Sequence, residues 1–401
     1  MNWTILFNEL TRGILTLLAE PGRLLMMVVG GILIYLAVAK DYEPTLLLPI
    51  GLGCILANVA GSGMGILSIK GIPWVSPPDA DAEGLGLFNV LYKAGITNEL
   101  FPLIIFIGIG AMTDFGPLLE NPHLPKMVLL GAAGQFGIFG TLLLATLLGF
   151  DIRQAASIGI IGSADGPTSI YVAANLAPKL LPPIAVAAYS YMSLVPVIQP
   201  PVIRLLTTKK QRQIHMPYTS RPVSRVSRIL FPIVVTLVTS ILVPLATPLI
   251  SMLMFGNLLR ESLVVERLSQ TAQNELVNIV TIFLGLAIGG TMVADQFLQW
   301  RTIGIFVMGI IAFALDTAGG VLFGQLVHWF YKLVLKKPFN PILGACGISA
   351  FPMSARVVHR VAQEEDFSNF LLMHAMGANT AGQIGSVLAG GVVMALLAGV
   401  A

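Results

Sequence analysis

The chain has 401 residues, of which 55% are hydrophobic and 11% charged, with a formal net charge of +3. A soluble domain carries about 25% charged residues, so a water-soluble globule of this size is excluded, as are a disordered chain, a collagen-like repeat and a disulfide scaffold. What remains is an all-α polytopic membrane protein, and so small a net charge gives no reason to expect nucleic acid as a partner.

No cleavable signal peptide is expected, because Glu9 and Glu20 interrupt the first apolar run and no small-residue cleavage site precedes the first long span. Residues 1–23 have no clear assignment. A spanning helix needs about 20 mostly apolar residues, and the runs 24–39, 44–60, 100–116, 126–149, 182–206, 228–256, 276–296, 302–334 and 368–399 qualify. The first is short, and Arg23 and Lys40 at its ends can snorkel to the interfaces. Residues 61–81, ending in Pro77-Pro78-Asp79-Ala80-Asp81, read as an exposed loop. Segments 82–96 and 259–273 have the spacing of amphipathic interfacial helices. The polar stretch 207–227, with Lys209, Lys210, Arg212, Arg221 and Arg225, marks the cytoplasmic side or anchors to lipid there. Cys54 and Cys346 lie in apolar stretches and read as small buried hydrophobes. The five histidines lack zinc spacing, and His359 and His374 are expected at an interface.

Two further segments, 153–178 and 339–362, are apolar but interrupted by Gly and Pro. They belong to an internal repeat. Asn98-Glu99-Leu100 recurs as Asn274-Glu275-Leu276, and at an offset of 185 Gly159, Gly162, Pro167 and Ser169 fall on Gly344, Gly347, Pro352 and Ser354. The second segment is surrounded by Lys332, Lys336, Lys337, Arg356 and Arg360, whereas the first carries only Arg153. The positive-inside rule therefore puts them on opposite sides and makes the repeat inverted in topology. Two broken or re-entrant helical segments in an inverted repeat are a mark of secondary transporters. The organisation expected is N-terminal spans and an amphipathic segment (1–97), a first repeat half (98–206), the basic loop (207–227), a linking span with an amphipathic helix (228–273) and a second half (274–401).

The breaks carry the chemistry. The first reads Gly162-Ser163-Ala164-Asp165-Gly166-Pro167-Thr168-Ser169. Pro167 removes a helical hydrogen bond and Gly166 admits unusual dihedrals. A lone carboxylate at membrane depth costs about 2.5–3.5 kcal/mol or more, and a cation or a proton on Asp165 would offset it. The alternative is a turn outside the membrane, which the flanking apolar residues Ile158–Ile161 and Ile170–Ala174 argue against. Carbonyls freed by this first break need partners, and a bound cation can supply one. The second break, after Asn340 and Gly344, reads Gly347-Ile348-Ser349-Ala350-Phe351-Pro352, with Ala350 in the place of Asp165. The last span adds Asn379, Thr380, Gln383 and Ser386, the latter two expected as hydrogen-bond glue between helices. This hard oxygen set suits Na⁺ or H⁺ rather than a soft metal. Tyr191, expected mid-span in 182–206, either packs with its hydroxyl satisfied or donates a proton. Arg356 is either structural or a fork for an anionic carboxylate.

These stretches, together with Tyr189-Ser190-Tyr191-Met192-Ser193-Leu194-Val195-Pro196 and 373–386, resemble the beta subunit of the biotin-dependent, sodium-translocating decarboxylases that act on oxaloacetate, glutaconyl-CoA or methylmalonyl-CoA. The resemblance covers nearly the whole chain. It implies Na⁺ bound by Asp165, Asn340 and Asn379, and a coupling role for Tyr191. Gly344, Ser349 and Arg356 match at the family's spacings of four, nine and sixteen from Asn340. It also implies a carboxyltransferase subunit, a biotin carrier and a small membrane subunit as partners. The beta subunit itself would be a homo-oligomer in the inner membrane of a bacterium, with a scaffold and an elevator-like moving core. On that reading, decarboxylation of carboxybiotin consumes a proton, delivered with help from Asp165, Tyr191 and Ser349, and drives Na⁺ outward. A non-enzymatic sodium/carboxylate symporter or a Na⁺/H⁺ antiporter of inverted-repeat fold would share the breaks and the oxygen ligands.

Overall fold

The structure, a computed structural model, describes residues 17–59, 87–121, 123–218 and 222–399, and every regular element among them is helical. Segment 61–81 and residues 82–86 of the amphipathic stretch lie outside the described residues. Among the described residues six helices are long and apolar enough to cross a membrane, and seven if one bent pair counts as a single span. The chain is thus a multi-pass membrane protein.

Helices α1 (Pro21–Lys40) and α2 (Pro44–Asn58) pack on each other, and α2 also lies against α3 (Val277–Gly290). The outward faces of α1 carry exposed Leu24, Val28, Ile32 and Tyr35. Large apolar side chains on a helix surface are stable where lipid, not water, is the solvent. The interior divides into two apolar clusters. One gathers α1–α3 with the first break. The other gathers the second break and the last helix, Leu372–Leu397.

Five expected segments differ from the structure. The runs 44–60 and 100–116 form apolar helices of only 15 and 13 residues, Pro44–Asn58 and Leu100–Met112, shorter than a full span. The run 228–256 is not one span. It forms two helices, Arg225–Leu242 and Thr247–Ser262, that fold back on each other so that Arg225 Nη2 donates to the Ser262 carbonyl at 2.9 Å. The reversal is set at Val243, which precedes Pro244 and leaves the helical region with φ −136° and ψ 81°. The run 182–206 is bent by 72° between Leu181–Met192 and Val195–Leu206. Pro196 lacks an N–H and its ring would meet the Met192 carbonyl, so the ladder cannot continue. The segment 259–273 is divided at Leu263, which sits at φ +57°, and a new helix begins at Glu266.

Both broken segments are as expected. The first comprises Ile152–Gly159, a 3₁₀ turn over Ile160–Ser163, and Gly166–Leu176. The second comprises a 3₁₀ stretch over Pro341–Gly347 and the helix Met353–Glu365. The basic loop is clasped to the end of that last helix. Arg212 bonds Glu365 at 2.7–2.8 Å, Gln213 donates to the Glu365 carbonyl at 2.9 Å, and His215 meets Asp366 at 2.8 Å. His374, expected at an interface, is fully buried, with Asn121 at 3.3 Å and the rings of His123 and Tyr218 against it. The cover comes from residues distant in sequence, which local hydropathy does not report.

Candidate functional site

Asp165 caps the second half of the first break. Its Oδ1 accepts the Thr168 N–H at 3.1 Å, the bond that a helix start needs once Pro167 has removed a donor. Its Oδ2 accepts from the Ser349 hydroxyl at 3.2 Å and from the Ser386 hydroxyl at 2.6 Å. The carboxylate is 5% exposed and has no cationic partner among the described residues. The two breaks are tied directly, since the Ser349 N–H donates to the Ser163 carbonyl at 2.8 Å. Segments separated by almost half the chain thus converge on one carboxylate.

Among the described residues, two buried oxygens on the elements that meet here have no hydrogen-bond partner: the Tyr189 hydroxyl and Asn379 Oδ1. Asn379 Nδ2 donates to the carbonyls of Ile348 at 2.7 Å and Cys346 at 3.3 Å, which fixes the amide orientation and leaves its oxygen free. Buried polar atoms are nearly always paired, so a group of unpaired acceptors calls for an occupant. A cavity of about 450 Å³ opens onto Asp165 between Ala164, Tyr189, Ser349, Phe351, Pro352 and Gln383.

The freed carbonyls of the second break find protein partners. Gln199 Nε2 donates to Ala345 at 2.9 Å, Asn379 to Cys346 and Ile348, and Gln135 Nε2 to Gly347 at 2.8 Å. A cation is therefore not needed to satisfy these carbonyls of the second break. Gln135 and Gln199 escaped the sequence reading; the available signal was an uncharged amide in the middle of an apolar run, costly against lipid. Ser386, expected only as glue, sits on the Asp165 carboxylate, while Gln383 bonds Thr113 at 3.0 Å and lines the cavity.

Other expected residues lie further off. Asn340 heads the second break, with its Oδ1 accepting the Ile342 N–H at 3.2 Å and its Nδ2 donating to Arg212 and Ile214 carbonyls of the basic loop. It has no bond to Asp165. The Tyr191 hydroxyl is committed to the Phe306 carbonyl at 2.5 Å, and the phenol that faces the cavity is that of Tyr189. Gly344 and Pro352 shape the second break, the one by close contact with Gly320, the other at the cavity wall. Arg356 is exposed on the helix Met353–Glu365, one turn beyond Pro352.

A helical, multi-pass chain in which two broken segments enclose a buried carboxylate and unpaired hard oxygens belongs to the class of membrane ion-translocating proteins. Comparison with known proteins is specific. The family described as the Na⁺-transporting oxaloacetate decarboxylase beta subunit matches residues 22–397. The chain is 48% identical to a probable oxaloacetate decarboxylase beta chain of Pasteurella multocida, covering 96% of this chain and 97% of that one. It is 52% identical to the methylmalonyl-CoA decarboxylase subunit beta of Veillonella parvula (94% and 93%). It is 51% identical to the glutaconyl-CoA decarboxylase subunit beta of Acidaminococcus fermentans (94% of each chain). The chain belongs to this family, the membrane beta subunits of sodium-transporting decarboxylases.

Proposed function

We propose that this chain couples the decarboxylation of carboxybiotin, a step that consumes a proton, to outward movement of Na⁺. The observation that carries the proposal is Asp165, buried between the two breaks and bonded only to neutral donors. Na⁺ would take Asp165 with the Asn379, Thr168 and Tyr189 oxygens, all hard donors. Asn340 would contribute by holding the second break, and with it Ser349, in register with the basic loop. When Na⁺ leaves, a proton on Asp165 would take over neutralisation of the buried charge, so the two ions exclude each other. Tyr191 would keep the bend at 192–195 attached to the helix Trp300–Phe330, so that coupling passes between the halves. Arg356, open to solvent, suits the carboxylate of an incoming carboxybiotin.

The repeat is read as inverted, with a scaffold and an elevator-like core. In support, each break is packed by a helix of the other half: Pro341–Gly347 by Leu124–Gly134, and Ile160–Ser163 by Trp300–Phe330, which also packs against the break of its own half. Membership of the family implies partner subunits; we infer a carboxyltransferase, a biotin carrier and a small membrane subunit. We place the assembly, with several beta subunits, in the inner membrane of a bacterium.

The test is direct. Avidin should capture the complex through its carrier and abolish decarboxylation-driven Na⁺ uptake into vesicles. Uptake of a labelled acid that avidin leaves unaffected would instead favour a symporter. Within the site, Ser386→Ala and Asn379→Ala are each expected to raise the Na⁺ concentration for half-maximal thermal stabilisation about tenfold, the scale of one hydrogen bond to a charged group. An unchanged midpoint for either would leave that residue as structural glue.

A further inference from the structure

A second carboxyl lies inside the bundle, on the helix Trp300–Phe330. Asp316 is completely buried, and among the described residues neither of its oxygens has a well-formed hydrogen bond, the one donor facing it being the Ile138 N–H. It fills notches left by two glycines on two different elements. A Cβ on Gly137, in the helix Phe136–Leu147, would fall 2.1 Å from Oδ1, and one on Gly162, in the first break, 2.7 Å from Oδ2. The Ala312 carbonyl lies 2.6 Å from the same Gly162 position. The Ile138 N–H, which faces Asp316, already donates to the Gln135 carbonyl at 3.2 Å.

We propose that Asp316 is a proton-binding site of the membrane core, protonated while the first break is packed against this helix and ionised when that packing opens to water. An ionised carboxylate without donors or counter-charge would be prohibitive here, whereas the neutral acid is tolerated. Only positions without a side chain, Gly137 and Gly162, allow these elements to come so close to the two oxygens. Titratable groups on the packed elements do not compensate. Tyr191 is held by Phe306, Arg204 is paired with Glu364, Cys346 bonds the Ser354 carbonyl, and Lys126 lies over the Tyr331 ring. Tyr189 faces the cavity, and Arg153 lies at the far end of the first break. In the step itself the carboxyl O–H breaks, the proton passes to water, and the carboxylate left behind is hydrated. Gly162 is three residues from Asp165, so separation of the break from Asp316 moves the Asp165 segment as well.

The inference rests on the transport reading above and is tested separately from it. In the complete complex, the infrared carbonyl band of protonated carboxylic acid is recorded with saturating Na⁺, which keeps Asp165 ionised. We expect a band that Asp316→Asn removes, together with at least about tenfold slower Na⁺ transport, an altered pH profile and undiminished thermal stabilisation by Na⁺. Loss of that stabilisation in Asp165→Asn but not in Asp316→Asn keeps the two sites distinct. If Asp316→Asn does not fold, the Asp165→Asn complex should still show the band. Its absence there, an unchanged band in Asp316→Asn, or transport with the wild-type rate and pH profile in that variant would overturn the assignment. Equal Na⁺ stabilisation in Asp165→Asn and wild type would instead overturn the sodium site.

Discussion

Asp165→Asn should leave the protein folded and remove its response to Na⁺. The amide oxygen of Asn can still accept the Thr168 N–H, so the helix start at Gly166 survives. What disappears is the negative charge that a cation neutralises. A ligand bound only by the folded state at a concentration 100 times its dissociation constant stabilises by about 2.7 kcal/mol. Wild-type protein should therefore show a clear upward shift in unfolding temperature with Na⁺, measured against K⁺ or choline at equal ionic strength. The variant should show none, and in vesicles should neither transport Na⁺ nor decarboxylate in a Na⁺-dependent manner. The carboxylate matters with Na⁺ bound because the Ser349 and Ser386 hydroxyls donate to the same anion that the cation neutralises. Equal shifts in variant and wild type would place Na⁺ elsewhere.

Gly344→Ala should be among the most damaging single-methyl changes in the chain. The new Cβ would fall 1.9 Å from the Gly320 carbonyl oxygen and 2.4 Å from its carbon. Both partners are backbone, so relief requires the helix Trp300–Phe330 to separate from the second break. Overpacking usually costs about 1–3 kcal/mol, and a rigid backbone contact belongs at or above the top of that range. Ser349, five residues on, would be drawn from Asp165, so Na⁺ stabilisation should fall with the unfolding temperature. Gly320→Ala meets the same contact from the other side, at 2.1 Å from the Gly344 carbonyl, and should behave alike. Gly31→Ala is the control: nothing lies within 4 Å of its Cβ, and alanine in a helix gains up to about 1 kcal/mol over glycine. If Gly344→Ala unfolds like wild type, the close packing of the second break is not what holds Ser349 in place.

The breaks were legible because their cause is local. A proline at the start of a helix, an aspartate that caps it and a glycine between them act within one turn, so Asp165-Gly166-Pro167 specifies both the interruption and the position of the carboxylate. The reversal at Pro244 was harder to read. Hydropathy integrates apolar content over a window and is blind to direction, so two antiparallel helices gave the same signal as one long span. Ser386 and Asn340 show the same divide. Both are polar residues near a break, but only one of them lies opposite Asp165 once the helices pack. Asp316 lies in a run of apolar residues, yet its meaning depends on two glycines contributed by other segments.

By itself the amino-acid sequence determined the membrane class, the two interrupted segments, the acidic side chain at the first and the family. Each of these follows from residue chemistry acting over a few neighbours, or from motifs carried whole. Only the tertiary structure decided that Ser349 and Ser386 share that carboxylate, that Gln135, Gln199 and Asn379 serve the carbonyls of the second break, and that Tyr189 rather than Tyr191 looks into the cavity. Those pairings join residues up to 221 positions apart, and their partners are selected by how closely helices can approach, which no local pattern encodes.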